Sequence, residues 1–259
     1  MDTDASMRKR LNYFWRLFAT GLSFSIFGIG GLFLMIIFSP VCLVIRDTSL
    51  KTMTCRRIIS RSFRFFIQIM RYLGVLQYTL TGIEQFNRKG MLIVANHPTL
   101  LDIVFLIAFI PKTNCVVKSS LWKNPFMLGP LYAAGYIKNS NSSSLLEECI
   151  ESLRSGQNVI IFPEGTRTPP DGIIKIKRGA ANLAVRGRIN ILPVRISCVP
   201  RTLGNDTRWW QIPSEPAYIR IDVQKDIFVE PFIDNAPNEV LAVRRLNRYL
   251  QDYLNRGKK

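Results

Sequence analysis

The chain has 259 residues, with 35 Lys and Arg against 18 Asp and Glu, a formal charge of +17. That length supports one sizeable core plus an appendage. The charge calls for an anionic partner: nucleic acid, an acidic membrane surface or a phosphorylated substrate. Five scattered cysteines without CxxC spacing and a single histidine exclude a disulfide framework and a structural zinc site.

Residues 17–45 carry no charged side chain. The run is long enough to cross a hydrocarbon core of about 30 Å as a helix, and SPVCLVIRD offers no small-residue cleavage site of the kind that ends a signal peptide. Arg8, Lys9, Arg10 and Arg16 precede it, and Arg46, Lys51, Arg56, Arg57, Arg61 and Arg64 follow it. Both flanks being basic, the positive-inside rule gives a slight preference for a cytoplasmic C-terminal side. Gly28, Gly30, Gly31 and Pro40 also allow a bend and return, so a spanning helix and a re-entrant or monotopic anchor both stay open.

The next segment, residues 51–75, reads as a basic amphipathic helix. Arg57, Arg61, Arg64, Gln68 and Arg71 recur at steps of four and three and so stack on one face. Ile59, Phe63, Phe66, Ile67, Met70 and Leu73 fill the rest. Such a helix suits the headgroup layer of an anionic bilayer.

Beyond about Leu76 the pattern alternates. YTLTG, MLIVAN, NCVVK, NVIIFPEG, INILPVRIS and YIRIDVQKDIFVEP read as strands. Helices are expected over Leu100–Ile110, Ser144–Arg154, Arg178–Val185 and Asn238–Asn255, with a Ser144/Glu147 capping box opening the second. The fold class expected is α/β: a mixed, largely buried sheet flanked by helices, with an N-terminal membrane-anchoring helical segment. The organisation expected is an anchor over 1–76 and a catalytic domain over 77–259.

Two strings carry chemistry. NHPTLLD (96–102) follows the strand MLIVA and opens a helix, at the strand end where α/β folds place ligands. His97 is the one side chain whose ordinary titration lies near neutrality. A neutral imidazole held in one tautomer by a carboxylate is a general base for a hydroxyl proton, and Asp102 is the candidate orienter. Five residues on a regular helix put two side chains roughly 140° apart, so the pair meets only if His97 lies outside the helix. Pro98 favours that by pushing its predecessor into extended backbone. Asp102 also reads as half of a Thr99/Asp102 capping box, and the two roles are compatible.

The second string, FPEGTRT (162–168), follows the strand NVII. Arg167 offers a bidentate fork for a phosphate, and Gly165 lets the backbone approach a ligand. Glu164 is expected either to bind a substrate hydroxyl or to anchor the loop through Arg167.

Together the strings resemble the 1-acylglycerol-3-phosphate (lysophosphatidic acid) acyltransferases and related glycerolipid acyltransferases. HPTLLD matches their H-x4-D motif and FPEGTRT their third motif, in the family's order. ILPVRIS (191–197) resembles the fourth, and KIKRGAANLA (175–184) the basic-Gly-Ala stretch between; the likeness covers roughly Tyr78 to Pro200. It implies His97 as base with Asp102 as partner, and Glu164, Gly165, Thr166, Arg167, Lys138 and Arg178 as substrate-binding residues, Arg167 on the acceptor's phosphate. It implies acyl-CoA or acyl carrier protein as donor, a lysophospholipid acceptor, and no metal or redox cofactor. Where the family's second motif usually carries an arginine, GYIKNSN (135–141) has Lys138 and Asn139, and lysine is a point charge without the guanidinium fork. Another lysophospholipid or a specialised lipid is therefore an alternative acceptor.

The expected function is O-acyl transfer to 1-acylglycerol-3-phosphate, giving phosphatidic acid. The expected location is a bacterial inner membrane, on anionic lipid, with the catalytic domain on the cytoplasmic face. A non-catalytic membrane-binding protein is the competing class. No helix-turn-helix, zinc-finger or aromatic-basic signature supports nucleic-acid binding, and an uncharged run over 17–45 serves none.

Overall fold

The computed structural model describes residues 2–110, 112–139 and 144–256, and of residues 2–6 and Lys9 the backbone alone. Two long helices lead the chain, α1 (Asp2–Val44) and α2 (Thr48–Tyr72). The apolar run is the greater part of one helix, with Pro40 inside it, and the reversal comes after it, at residues 45–47. Asp47 caps α2 by accepting the Leu50 N–H at 2.7 Å.

Seven strands follow: β1 (Leu76–Thr81), β2 (Leu92–Ala95), β3 (Thr113–Lys118), β4 (Ile137–Asn139), β5 (Asn158–Ile161), β6 (Ile191–Val199) and β7 (Ala217–Val223). They form one sheet in the order β1-β7-β6-β2-β5-β3-β4. Five strands run parallel; β7 lies antiparallel on β6 and carries β1 parallel to itself. The helices α3 (Asp102–Phe109), α4 (Pro125–Ala133), α5 (Ser144–Arg154), α6 (Gly179–Gly187), α7 (Glu230–Asp234) and α8 (Glu239–Asn255) complete the chain. The expected mixed α/β sheet is present.

Both faces of the sheet are covered, which is why β2 is buried at all four positions. Ile93, Ala95, Leu192 and Ile219 face a core built with Phe105 and Leu106 of α3 and Leu131 of α4. Leu34 and Phe38 of α1 and Cys55, Ile59 and Ile67 of α2 complete that core, so the N-terminal helices pack into it. On the other face Leu92, Val94, Val159 and Ile191 meet Leu183, Leu246 and Leu250 of α6 and α8.

α1 lies along the body over much of its length, burying Arg16, Ala19, Ser23, Leu34 and Phe38 on one side. Its approach to α4 is close. A Cβ at Gly31 would stand 2.4 Å from the Phe126 carbonyl oxygen, and one at Gly129 only 2.2 Å from Met35. The opposite side of α1 exposes Phe14, Phe18, Ile29, Phe33 and Ile36.

On α2 the stripe of Arg57, Arg61, Arg64, Gln68 and Arg71 is exposed while Ile59, Phe66, Ile67 and Met70 are buried. Arg56 departs from the surface pattern. It is buried and donates to the carbonyls of Ala134 (2.7 Å) and Gly135 (3.1 Å) and to Gln157 Oε1 (2.6 Å). That satisfies the guanidinium and ties α2 to the β4 turn.

One expectation changes, and two elements join those expected. YIRIDVQKDIFVEP is not one strand: β7 ends at Val223, a lone bridge joins Ile191 and Ile227, and α7 starts at Glu230. Pro125–Ala133, with two prolines and a glycine, forms α4, its first turn suited to Pro125 and capped by Asn124 accepting the Phe126 N–H. GYIKNSN contributes a short edge strand, Ile137–Asn139; Ser140 and Asn141 lie outside the described residues.

Candidate active site

Strands β2 and β5 are neighbours, with Val94 opposite Ile161. The loops leaving their carboxyl ends, one carrying His97 and the other Glu164, are therefore brought side by side. This adjacency joins two strings far apart in sequence.

His97 lies outside any helix, five residues before α3 begins. Its Nδ1 is 2.8 Å from Asp102 Oδ2. With the carboxylate ionised, Nδ1–H donates and Nε2 is the nitrogen left to accept a proton. The ring stacks on Phe162, centroids 4.2 Å apart and planes at 20°. The backbone is pinned as well: the His97 N–H donates to Glu164 Oε1 at 2.8 Å, and its carbonyl accepts the Thr168 N–H at 2.7 Å. Thr168 Oγ1 closes the arrangement by donating to the same Glu164 oxygen at 2.9 Å. Four contacts thus hold this one histidine, two on the ring and two on the backbone, and its side chain keeps 16% of its surface exposed.

Asp102 is fully buried. Its Oδ2 also accepts the Thr99 N–H at 2.9 Å, so orientation of His97 and a capping contact coexist. The capping box is incomplete, however. α3 has Leu101 at its cap position, and Thr99 Oγ1 is buried without a hydrogen-bond partner. Burial pushes the Asp102 carboxyl up to about 6, against the opposing pull of His97 and the Thr99 amide.

Glu164 is buried and holds the loop together by accepting from the His97 and Thr168 donors. Arg167 is turned to a different neighbour. Its Nη1 donates to the carbonyls of Leu203 (2.7 Å) and Gly204 (2.9 Å) in the β6–β7 connection, so the fork is partly committed to protein. Burial lowers its affinity for the proton, and the charges of Asp102 and Asp206 oppose that. Thr166 is exposed and accepts from Asn205 Nδ2 at 2.6 Å.

Gly165 has φ +70, a backbone conformation that favours glycine. A Cβ there would meet Lys177 Nζ at 3.1 Å, so an amine lies against this loop. The Lys177 N–H donates to the Pro163 carbonyl at 2.7 Å. Arg178 is exposed at the start of α6. Lys138 is exposed on the edge strand β4, separated from β2 by β5 and β3. The structure brings together His97, Asp102, Glu164, Gly165, Thr166 and Arg167, and leaves Lys138 at the far side of the same sheet edge.

Sequence reasoning missed Phe162, Thr168, Lys177 and the 203–205 turn. The first two stand inside FPEGTRT, where a string match gives no sign that one is a stacking platform and the other a strut. Lys177 stands inside KIKRGAA beside Arg178. Gly204, Asn205 and Asp206 mark a turn, but nothing in the sequence says that it folds onto Arg167. Among the described residues no group of three or more His, Cys, Asp or Glu gathers to hold a metal. What the geometry offers is an oriented, partly open imidazole beside basic groups: proton removal from a hydroxyl next to an anionic group.

Residues 77–197 match the family model described as Acyltransferase. A 1-acyl-sn-glycerol-3-phosphate acyltransferase of Pseudomonas aeruginosa is 29% identical over 145 residues, covering 54% of this chain and 56% of that protein. One of Helicobacter pylori is 33% identical over 129 residues, covering 45% and 54%. The chain thus spans about half the length of these curated relatives. The crystal structure of the 1-acyl-sn-glycerophosphate (LPA) acyltransferase PlsC from Thermotoga maritima superposes with a TM-score of 0.68 at 21% identity. It covers 97% of this chain and 95% of the other, a likeness of fold.

Proposed function

We propose that this chain, which carries an acyltransferase-family domain over residues 77–197, transfers a fatty acyl group to the free hydroxyl of 1-acylglycerol-3-phosphate, giving phosphatidic acid. The observation that carries the reading is the His97–Asp102 pair, 2.8 Å apart and fixed from four sides. His97 Nε2 takes the acceptor's hydroxyl proton as that oxygen attacks the thioester carbonyl of the donor. The tetrahedral intermediate collapses, the carbon–sulfur bond breaks, and the departing thiolate recovers the proton from the imidazolium. Buried and anionic, Asp102 stabilises that imidazolium. The donor is acyl-CoA or acyl carrier protein, and no metal or redox cofactor enters the chemistry.

Arg167 and Lys177 frame the side on which the acceptor's phosphate would lie, with Arg178 and Lys138 further out. Because Lys138 and Asn139 stand where the family's second motif has Asp and Arg, a second reading keeps the chemistry and changes the acceptor to another lysophospholipid. A panel of acceptors offered to purified protein with acyl-CoA separates the two. Acylation of lysophosphatidic acid supports the first; acylation of a lysoaminophospholipid with lysophosphatidic acid ignored supports the second.

The site works at a membrane in this reading. Phe14, Phe18, Ile29, Phe33 and Ile36 are each at least 61% exposed along α1. Leaving water is worth roughly 1.5–3 kcal/mol for each large apolar side chain, so five of them on one face favour hydrocarbon. The same helix packs its other side on the domain, which suits an anchor lying in one leaflet rather than one projecting through both. The exposed arginine stripe of α2 meets anionic headgroups. A bacterial inner membrane, cytoplasmic face, is the location consistent with basic flanks and free cysteines.

A further inference from the structure

We propose that the β6–β7 connection, through Trp209 and Trp210, is an additional contact with the anionic bilayer surface that carries membrane docking to the Arg167 loop. The proposal rests on the membrane-bound reading above and adds to it an element outside the two N-terminal helices.

Residues 200–216 do two things at once. At one end they hold the site: Leu203 and Gly204 accept from Arg167, Asn205 Nδ2 donates to Thr166 Oγ1 and to the Arg167 carbonyl, and Arg201 donates to the Thr168 carbonyl at 2.8 Å. At the other end they lie on α1. The Trp209 ring fills the space over Gly21, 3.4 Å from where a Cβ would be, and packs on Phe24 with centroids 6.0 Å apart. Arg16, buried at the start of the apolar run, donates to the Pro213 carbonyl at 3.1 Å and to the Ser214 carbonyl at 2.5 Å. One short connection therefore joins the membrane helix to the acceptor loop.

The tip is built for an interface. Trp209 and Trp210 pack edge to face at 5.6 Å and remain 45% and 44% exposed. Arg208 lies 5.2 Å over the Trp210 ring. Tryptophan concentrates at the headgroup level, where an apolar ring and a polar N–H are both satisfied, and an arginine beside it meets lipid phosphate. The placement agrees. Trp209 flanks α1 at Gly21–Phe24, the end of the helix where Trp15 and Phe18 are also exposed. Trp15 and Phe24 are nine residues apart, about 180° around a helix, so aromatic groups bracket α1 from both sides. A chain of charge +17 presents the matching sign to an anionic surface.

The test uses the full chain bound to phosphatidylglycerol vesicles, in a Trp15→Phe/Trp122→Phe background that leaves Trp209 and Trp210 as the only tryptophans. Lipids brominated near the headgroup end of the acyl chain should quench this fluorescence, and aqueous iodide should not reach it. Bound protein whose tryptophans iodide quenches and brominated lipid does not overturns the proposal while leaving the anchor intact. Failure of the chain to bind vesicles at all overturns both readings. Should the double replacement not fold, the same signal is read as wild type minus Trp209→Phe/Trp210→Phe. The coupling has its own readout: Trp210→Ser should raise the KM for acceptor presented in vesicles several-fold with kcat little changed. A water-soluble short-chain acceptor should be unaffected; equal loss on both acceptors contradicts the coupling.

Discussion

His97 Nδ1 lies 2.8 Å from Asp102 Oδ2 although a regular helix would turn those side chains apart, because His97 lies outside the helix while Asp102 is the first residue of α3. The contact sets the tautomer: Nδ1–H faces the carboxylate and Nε2 faces substrate. Asp102→Asn keeps the shape and loses the charge. It is expected to lower kcat by about 10²- to 10⁴-fold, the range of a misoriented or unassisted general base, with acceptor KM little changed. Steady-state kinetics on folded protein checks this.

The same carboxylate gives a pH signature. Burial raises Asp102 to about 6 from an ordinary 3.8, so between pH 4 and 6 the folded protein holds a proton that the unfolded chain has released. Stability contributed by this group is therefore greatest at the acid end and declines as pH rises through 6. Activity runs the other way, since Asp102 must be ionised to accept Nδ1–H and leave Nε2 free as the base. The melting temperature of wild type relative to Asp102→Asn should fall from pH 4 to 7 while kcat/KM of wild type climbs. A difference that stays flat across this window contradicts the assignment.

Glu164 anchors the loop that positions His97, accepting from the His97 amide and the Thr168 hydroxyl in a buried place. Glu164→Ala leaves two buried donors unsatisfied, each costing about 1–3 kcal/mol. A melting temperature lower by several degrees is expected, with kcat reduced. Glu164→Gln retains an accepting oxygen and should recover most of the stability. Thermal unfolding of the two variants separates the outcomes.

Arg167 is expected to act on acceptor binding more than on the proton transfer. Arg167→Lys cannot reach the Leu203 and Gly204 carbonyls with a planar fork and also present a second edge to phosphate. Acceptor KM should rise about tenfold, the loss of one charge-assisted hydrogen bond, with donor KM unchanged.

Much of the arrangement was legible in the sequence. The long helices followed from uninterrupted apolar and amphipathic periodicity, and the parallel strands from short β-branched runs. The His97 and FPEGTRT strings pointed to strand ends, which the pairing of β2 with β5 brings together. What local pattern could not carry is what depends on distant partners. α4 is hidden behind two prolines, Pro125 opening the helix and Pro130 standing inside it. Arg56 reads as one more surface arginine and is buried by carbonyls far along the chain. Arg167 reads as a free fork until the 203–204 turn is folded onto it.

Helix packing supplies a control pair. Gly31→Ala would place a methyl 2.4 Å from the Phe126 carbonyl, whereas Gly30→Ala meets nothing within 4 Å. The first should destabilise by about 1–3 kcal/mol, and the second should gain about 0.5–1 kcal/mol from helix propensity. Unfolding in matched detergent distinguishes them.

Whether His97 is the base of an acyl transfer is decided by following phosphatidic acid formation from acyl-CoA and 1-acylglycerol-3-phosphate by wild type and His97→Ala in vesicles. Wild type should form product, and the variant, equally folded, should be at least about 10²-fold slower. Equal rates in the two proteins would contradict that role.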